Sequence, residues 1–397
     1  MSQHVQDIDR DQLDQYRLRV RRDLAEVVAP RVEEAEKARA FPTDVLVELA
    51  KRGHIRERWA ADPTRGLLYG TTFAYELGRL LCGGFGAAWI VQAELAPSVL
   101  QAEDGDVDLY EAAIDGRTIF CFAVSEPVGG SNLGGLRLQA RRAGDSWVLN
   151  GAKKWISLAR GADYALVLAR TRGGHHLTFF AVPQGVGGYR VVKDLDKLGT
   201  HSIETCELDL SDVRVPDSRR LGGVGLGLPL FGRAITAERL ATVALLVGTL
   251  ETTIELAATY LTTRNGPNGP LSDLQALRHR VADLVATQLA LRSALSCTAA
   301  EVAAGRAGAR EVAALKLVAA HQVEQSISEA LQLFGGAGYT TDWPVERALR
   351  DCRMARIAGG TDEIMRELVA STPLPRGRFD AWLTDRTLAV VDPGGIP

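Results

Sequence analysis

The spacing of apolar residues divides the chain into three stretches. In the first stretch apolar side chains recur at helical intervals, as Leu13, Tyr16 and Val20 do. A Phe-Pro-Thr-Asp sequence that begins at Phe41 is typical of the start of another helix. The pattern predicts an N-terminal α-helical domain over residues 1–115.

In the second stretch the period shortens to that of β-strands. Short runs rich in β-branched and aromatic residues are separated by turn dipeptides such as Asn150-Gly151. These runs are residues 118–124, 147–149, 164–168, 177–182, 189–192 and 206–210. The pattern predicts a middle β-barrel or β-sandwich domain over residues 116–222.

The helical period returns in the third stretch. Segments of helical length lie near residues 230–263, 271–305, 310–334 and 361–371. They predict a C-terminal four-helix bundle over residues 223–371. Residues 372–397 contain four prolines, so we expect a tail without regular elements there. The predicted fold class is α+β, with helical domains on both sides of a β domain.

Length and charge exclude several classes of protein. At 397 residues the chain is long enough for two or three domains. Its net charge of −3 gives no long-range attraction for nucleic acid or for an anionic membrane. We find no apolar run of roughly 18 residues that would span a membrane, and no signal-peptide pattern. We therefore expect no nucleic-acid or membrane partner.

Cysteine and histidine usage gives no indication of a metal site. The five cysteines are odd in number, widely spaced and free of a C-x-x-C pair, which favours reduced thiols in the cytoplasm. His175 and His176 are adjacent in a predicted hairpin, where surface imidazoles are commoner than metal ligands. The chain also lacks a P-loop, a G-x-G-x-x-G motif and the H-E-x-x-H and G-x-S-x-G motifs.

Two segments of the β domain could hold a flat polar ring. The segment from Phe122 to Asn132 leaves a strand through a proline and two glycines, which exposes backbone N–H groups beside two hydroxyls. Trp155 and Ser157 lie two residues apart, so on a strand they share one face. The alternatives are an ordinary glycine-rich turn and a tryptophan in the core of the sheet.

Glu238 is a carboxylate on an apolar helical stripe. The residues one turn away on either side, such as Ala234 and Thr242, are not basic. Burying such a carboxylate is costly unless a distant partner binds it or its pKa rises, and a raised pKa suits a general base. The alternative is an ion pair with an arginine from another helix.

Two further segments lie near the end of the bundle. Glycines end a helix within residues 332–347. Residues 357–364 form a helix start, in which Thr361 is the cap, acidic residues fill the first turn and two glycines precede it. Small residues beside a helix start allow a ligand to approach closely.

The order of these segments resembles that of the acyl-CoA dehydrogenase family, over nearly the whole chain and most specifically from Phe122 to Arg366. The matching motifs are Ser125-Glu-Pro-x-x-Gly-Ser131, Trp155-Ile-Ser157, residues 197–199 and 213–216, Glu238-Arg239, Arg264, Gln275, Gln332-Leu-Phe-Gly-Gly336, Pro344-Val-Glu-Arg347 and Gly360-Thr-x-Glu-Ile364. Because both residue type and order match, the set is a strong signal.

The resemblance implies FAD as the cofactor. It places the flavin ring on Phe122, Ala123, Val124, Ser125, Gly130, Ser131, Trp155, Ile156 and Ser157. It places the diphosphate and adenosine half across a subunit boundary on Arg264, Gln275, Gln332, Leu333, Phe334, Gly335 and Gly336. Further FAD contacts are implied for Thr361, Asp362 and Glu363. Such sharing implies a homodimer or homotetramer.

The resemblance also implies the reaction, which is α,β-dehydrogenation of an acyl thioester. A carboxylate removes the α proton while hydride leaves the β carbon for flavin N5. The substrate is an acyl-CoA or an acyl-carrier-protein thioester, and the electron acceptor is an electron-transfer flavoprotein or oxygen. The residues implied for substrate binding are Ser131, Arg239, Gly359 and Gly360.

The chain departs from the family pattern at Gly359. Most members carry the base at this position, just before the Gly-Thr of the last motif. A subset that includes isovaleryl-CoA and long-chain acyl-CoA dehydrogenases has a small residue there and takes the base from a bundle helix, in a Glu-Arg pair like Glu238-Arg239. We therefore favour Glu238 as the catalytic base. The alternatives are a flavin monooxygenase on the same fold, a flavoprotein that has lost dehydrogenation and a non-catalytic partner protein.

A second departure covers residues 53–63, where the family has an apolar, glycine-rich loop near the acyl pocket. This chain has Gly-His-Ile-Arg-Glu-Arg-Trp at its beginning. Either this is variation in a mobile surface loop, or the enzyme takes an unusual or carrier-bound acyl group.

Overall fold

A computed structural model describes residues 10–60, 62–102, 106–171 and 176–371, apart from the side chains of Ala60 and Pro63. His175 and the proline-containing tail lie outside the described residues. The described chain confirms the predicted α+β fold, because helices precede and follow a β-sheet.

Short and medium helices form the N-terminal part. The helices are α1 (Arg10–Val27), α2 (Val32–Ala38), α3 (Asp44–Lys51), α4 (His54–Ala60), α5 (Pro63–Gly78), α6 (Gly83–Ile90), α7 (Ala96–Leu100) and α8 (Val107–Ile114). Proline begins α5 and the Asp62 side chain accepts a hydrogen bond from the N–H of Arg65, so the helix start is capped. The helix predicted at Phe41 is α3, although Thr43 makes no capping hydrogen bond with its side chain.

The middle part is one twisted, mainly antiparallel sheet. Its strands are β1 (Phe120–Ala123), β2 (Gln139–Ala143), β3 (Ser146–Ser157), β4 (Tyr164–Thr171), β5 (His176–Pro183), β6 (Tyr189–Asp194), β7 (Thr205–Pro216) and β8 (Arg220–Leu221). The order is β6-β7-β3-β2-β4-β5-β8, with β1 parallel to β4. The long β3–β7 pair carries two register shifts, one of them between Lys154 and Ile156.

Long helices build the C-terminal part. They are α9 (Gly227–Thr263), α10 (Gln275–Ala303) and α11 (Ala309–Leu333), joined by the shorter α12 (Val345–Cys352) and α13 (Asp362–Ala370). A small ribbon of β9 (Asn265–Gly266) and β10 (Gly269–Pro270) connects α9 to α10. The four predicted bundle segments correspond to α9, α10, α11 and α13.

Helix α9 is the central helix of the molecule and packs against α5, α10 and α11. By length and composition it could also cross a membrane, which the sequence analysis did not anticipate. However, 72% of its most apolar window is buried inside the protein, as is usual for the core helix of a bundle.

The carboxylate of Asp351 joins the three parts of the fold. It lies on α12, and its two oxygens accept hydrogen bonds from the backbone N–H of Gly83 in α6 and of Thr200 between β6 and β7. The side chain is buried, and burial raises the pKa of Asp351 to about 6. One residue of the bundle therefore fixes both the first turn of α6 and a loop of the sheet.

We expect Asp351→Asn to destabilise the protein. The asparagine carbonyl can accept one of the two N–H groups, whereas its NH₂ faces the other donor. A buried unsatisfied donor costs about 1–3 kcal/mol, so thermal unfolding should begin several degrees lower. The exposed Asp342→Asn is the control and should leave the unfolding temperature unchanged. Equal behaviour of the two variants would contradict the joining role of Asp351.

Candidate active site

One cavity lies where the sheet, α6, α9 and α12 meet, and its volume is about 490 Å³. It brings together most of the residues predicted for the flavin ring, the base and the substrate. These residues are Phe122, Val124, Ser125, Gly130, Ser131, Trp155, Ile156, Ser157, Glu238, Arg239, Gly359 and Gly360. Cavities of this size hold small-molecule ligands and cofactors in many proteins.

A buried ion pair shapes the loop that follows β1. Glu126 accepts hydrogen bonds from the backbone N–H of Arg137 and Leu138 and from the ammonium of Lys153, at 2.6, 3.0 and 2.9 Å. The Lys153 ammonium also donates to the carbonyl of Val124 at 2.8 Å. Burial lowers the pKa of Lys153 to about 8. This ion pair ties residues 124–126 to β3 and so positions Ser125 at the cavity wall.

Trp155 lies in a β-bulge of β3 and not in the core of the sheet. Its φ of 63° is left-handed, and the bulge leaves 52% of the residue exposed. The Lys154 ammonium lies 5.6 Å from the centre of the indole ring. Ser157, at the end of β3, has its hydroxyl 3.4 Å from that of Thr205. A strained bulge therefore turns a flat aromatic surface into the cavity.

Glu238 extends from α9 into the cavity and is almost completely buried. The Thr242 hydroxyl donates to Oε1 at 3.2 Å, and Oε2 has no hydrogen-bond partner among the described residues. Burial raises the pKa of Glu238, and the nearby charges of Lys316 and Arg239 lower it. Glu238 has no ion pair within the described chain, so the alternative of a partner arginine on another helix is not observed.

Two cations fix the backbone beside Glu238. Arg239 Nε donates to the carbonyl of Gly359, and Lys316 Nζ of α11 donates to the carbonyl of Gly360, each at 2.7 Å. Burial lowers the pKa of both Arg239 and Lys316, while the Glu238 charge raises it. The same cations therefore hold the glycine turn and partly compensate the buried carboxylate.

Gly359 leaves room for the Glu238 carboxyl group. Its φ is 67°, and a Cβ atom there would lie 2.8 Å from Oε1 of Glu238 and closer still to Oε2. The carboxyl group from α9 thus occupies the position at which any side chain of residue 359 would begin. A buried carboxylate with one unpartnered oxygen in an apolar cavity can act as a proton acceptor.

The remaining predicted FAD residues lie outside this cavity. Ala123 is buried beneath the cavity wall. Arg264 and Gln275 are exposed at the α9–α10 connection, and Gln332, Gly335 and Gly336 are exposed at the end of α11. The two exposed groups lie at the same end of the bundle, because the rings of Tyr260 and Phe334 are 4.7 Å apart.

The five other predicted FAD contacts lie at the end of α11 and at the start of α13. Leu333 and Phe334 are buried in the bundle, so only their backbone could contact a ligand. Thr361 caps α13 through its hydroxyl, as predicted. Asp362 binds Arg356 Nε at 2.7 Å, whereas Glu363 is exposed.

Most of the segment that departs from the family pattern is helical. Residues 54–60 form α4, in which His54 and Ile55 are fully buried and Arg58 is 9% exposed. The interpretation as a surface loop is therefore wrong for residues 54–60, because these residues form a helix that packs His54 and Arg58 into the N-terminal core.

Sequence reasoning missed Lys153 and Lys316 as parts of the site. Only seven of the 46 basic residues are lysines, and these two are fully buried. Lysine is rare in this chain, but that rarity does not distinguish the two residues, because Lys37, Lys51 and Lys193 are exposed. Only the fold shows which ammonium groups reach a buried backbone carbonyl.

We expect Gly359→Ala to displace the Glu238 carboxyl group. Gly144 has the same φ of 67°, and a Cβ there would meet no atom within 4 Å, so Gly144→Ala is a matched control for backbone strain. Both variants carry the strain of about 1 kcal/mol. The free energy of unfolding of Gly359→Ala should be lower by about 1 kcal/mol than that of Gly144→Ala, because the hydrogen bond between Thr242 and Glu238 breaks. Equal thermal unfolding of both variants would show that the carboxyl group has free space.

Comparison with known proteins agrees with this geometry. The family models for the acyl-CoA dehydrogenase middle domain and C-terminal domain match residues 121–213 and 225–373. Mouse mitochondrial short-chain specific acyl-CoA dehydrogenase is 35% identical over 64% of this chain and 63% of that enzyme. The acyl-[acyl-carrier-protein] dehydrogenase MbtN of Mycobacterium sp. (strain MCS) is 31% identical over 86% of this chain and 89% of that protein.

A solved structure gives the same assignment. Butyryl-CoA dehydrogenase of Megasphaera elsdenii superimposes with a TM-score of 0.82 and 25% identity, over 92% of this chain and 97% of that one. Two family models that together match more than half of the chain, and a relative aligned along most of it, establish its membership. The chain belongs to the acyl-CoA dehydrogenase family.

Proposed function

We propose that this protein is an FAD-dependent oxidoreductase that introduces an α,β double bond into an acyl thioester, with Glu238 as the base. The observation that carries the proposal is the buried carboxyl group of Glu238. It fills the place of a side chain at Gly359 and faces the same cavity as Trp155 and Ser157.

The residues of the cavity fit a flavin ring. Trp155 offers a flat aromatic surface, while Ser125, Ser131 and Ser157 supply hydroxyls around it. Phe122 and Phe231 stack 6.4 Å apart and line an apolar portion of the wall. When bound, FAD supplies the hydride acceptor for the reaction.

Glu238 is suited to remove a weakly acidic proton. Burial raises its pKa, which makes the carboxylate a stronger base, and the unpartnered Oε2 is free to accept the proton. Lys316 and Arg239 oppose this rise in pKa and so favour the ionised form, which is the form that accepts a proton.

The glycine turn is suited to hold the thioester carbonyl. The backbone N–H groups of Gly359 and Gly360 make no hydrogen bond to another group of the described chain, and both residues line the cavity beside Glu238. Donors next to the base would stabilise negative charge on the thioester oxygen as the proton leaves. Lys316 and Arg239 keep this turn in place through its carbonyls.

The acyl group is carried on CoA or on a carrier protein, and the electrons pass to an electron-transfer flavoprotein or to oxygen. A carrier-bound substrate has support from the mycobacterial MbtN relative, whose alignment spans most of both chains. An acyl-CoA substrate has support from the short-chain relative.

The diphosphate and adenosine half of FAD would bind at the exposed residues at the end of the bundle. Arg264, Gln275 and Gln332 are exposed there. Leu274 and Tyr339, which are 51% and 89% exposed, lie in the same segments. A second copy of the chain would cover these apolar groups, which supports a homodimer or homotetramer that shares its cofactor.

A monooxygenase or a flavoprotein without a base is less well supported. Both alternatives rested on the missing carboxylate at Gly359. Since Glu238 places a carboxyl group at that position from α9, the site retains the group that dehydrogenation requires.

We expect Glu238→Gln to bind FAD and to lose substrate-dependent bleaching of the flavin. The amide has almost the same shape as the carboxyl group but cannot accept the α proton. Anaerobic titration with acyl-CoA and acyl-carrier thioesters should show bleaching of the parent enzyme and a rate at least about 10²-fold lower in the variant. Normal bleaching of the variant would contradict the assignment.

Glu255→Gln is a matched control for this experiment. Glu255 lies on the same helix, is exposed and binds Arg79 at 3.2 Å. Its variant should bleach at the parent rate.

We expect Lys316→Met to shift the pH dependence of bleaching towards alkaline pH. Lys316 lowers the pKa of Glu238, so its removal raises that pKa and the active carboxylate forms at higher pH. The acidic limb of the pH–rate profile should therefore lie at higher pH in the variant than in the parent enzyme. Lys154→Met is the control for charge near the cavity, because the Lys154 ammonium of the parent enzyme lies over the Trp155 ring. An unshifted acidic limb in Lys316→Met would contradict the electrostatic role.

A further inference from the structure

One wall of the cavity is an irregular turn of helix. Residues Val91–Leu95 form a single π-helical turn between α6 and α7, and its first and last residues line the cavity. A π-helical turn inserts an extra residue into a helix and often occurs at functional sites. The directions of Val91 and Leu95 therefore depend on what holds this turn.

Gln92 anchors the turn to the sheet. Its amide donates to the carbonyls of Ala113 and Thr118 at 3.2 and 3.0 Å and accepts the N–H of Phe120 at 3.0 Å. Gln92 is completely buried, so water does not compete for these bonds.

Helix α4 holds the next two residues of the turn. Trp59 Nε1 donates to the carbonyl of Ala93 at 2.7 Å. Arg58 Nε lies 3.1 and 3.0 Å from the two carboxylate oxygens of Glu94, and its Nη2 lies 2.9 Å from Oε2. Three consecutive residues thus bind the scaffold, while the two ends face the cavity.

Helix α5 is shaped to admit this ion pair. A Cβ atom at Gly70 would overlap Oε1 of Glu94 and would lie 2.7 Å from Cδ of Arg58. A Cβ atom at Gly66, one turn earlier, would overlap the carbonyl of Arg58. The two glycines therefore form a groove for Arg58.

The burial of this pair is costly in itself. Glu94 is 2% exposed, and burial raises its pKa, with Arg58 opposing the rise. Buried ion pairs seldom add net stability compared with apolar residues of the same size. Their geometry is directional, however, so the pair fixes the orientation of the turn.

We propose that Arg58 and Trp59 of α4 set the acyl-chain specificity of this enzyme by positioning the π-helical turn. This inference rests on the proposed function. The cavity wall around the turn is apolar and includes Leu81, Ala87 and Ile90, so the group that it accepts is an uncharged, apolar acyl chain. Arg58 and Trp59 do not line the cavity. They act on the length of the accepted acyl chain through the turn and are therefore positioning residues.

The test compares the parent enzyme with the double variant Arg58→Met/Glu94→Gln. Neutralising both partners avoids the single unpaired charge that would itself unfold the core. The probes are straight-chain acyl-CoA thioesters of increasing length, together with the matching carrier-protein thioesters. We expect the ratio of kcat/KM between the preferred chain and chains a few methylenes longer to fall about tenfold. An unchanged chain-length profile would overturn the proposal.

Two further variants separate this role from general damage. Trp59→Phe removes only the hydrogen bond to Ala93 and should shift the profile in the same direction. Arg56→Met is the matched control, because Arg56 lies on α4 and binds Glu111 and Asp115 at the surface. It should keep the parent profile, and a shift as large as that of the double variant would also overturn the proposal.

Amide hydrogen exchange gives a readout that does not require catalysis. Peptides that cover residues 91–95 should exchange at least about tenfold faster in the double variant, and at the parent rate in Arg56→Met. Unchanged exchange in the double variant would overturn the positioning role. If no thioester bleaches the parent flavin, the proposed function fails, whereas the exchange experiment still decides whether α4 holds the turn.

Discussion

The buried carboxyl group of Glu238 is the constraint on which the site depends. It lies in a cavity that offers Oε1 one hydrogen bond and Oε2 none within the described chain. The ionised form of such a buried carboxyl group is costly unless nearby charge offsets its desolvation. Lys316 and Arg239 provide that charge from α11 and α9 and bind the carbonyls of the glycine turn. The charge that surrounds Glu238 and the shape of the turn are therefore set by the same two cations.

Glycine at position 359 is required by the same constraint. A side chain there would overlap the Glu238 carboxyl group, and the left-handed φ of 67° already disfavours one. A carboxylate can reach this place from α9 or from residue 359, but not from both. This mutual exclusion explains in physical terms why a chain with the Glu238 carboxyl group at this place has glycine at position 359.

Much of the fold could be predicted from the sequence, because periodicity reports local structure. The strand runs and the bundle segments have the expected type, and Thr361 caps its helix. The pairing of Lys316 with the turn at Gly360 could not be predicted, because it joins a helix to a turn that lies 44 positions away in the sequence. Trp155 was predicted either to stack on a flat ring or to lie in the core of the sheet, and only the bulge of β3 distinguishes these two roles. The helix α4 was missed because its buried arginine resembles a surface residue in sequence.

The polar and the apolar walls of the cavity come from different parts of the fold. Glu238, the glycine turn and their two cations belong to the C-terminal part, whereas the apolar wall at Val91 and Leu95 belongs to the N-terminal part. Asp351 joins the two parts by binding the first turn of α6 from α12. Because α6 continues directly into the π-helical turn, the bond of Gly83 to Asp351 and the bonds of α4 to the turn hold the two ends of one continuous helical segment. The apolar wall and the Glu238 carboxyl group are therefore held by separate sets of contacts.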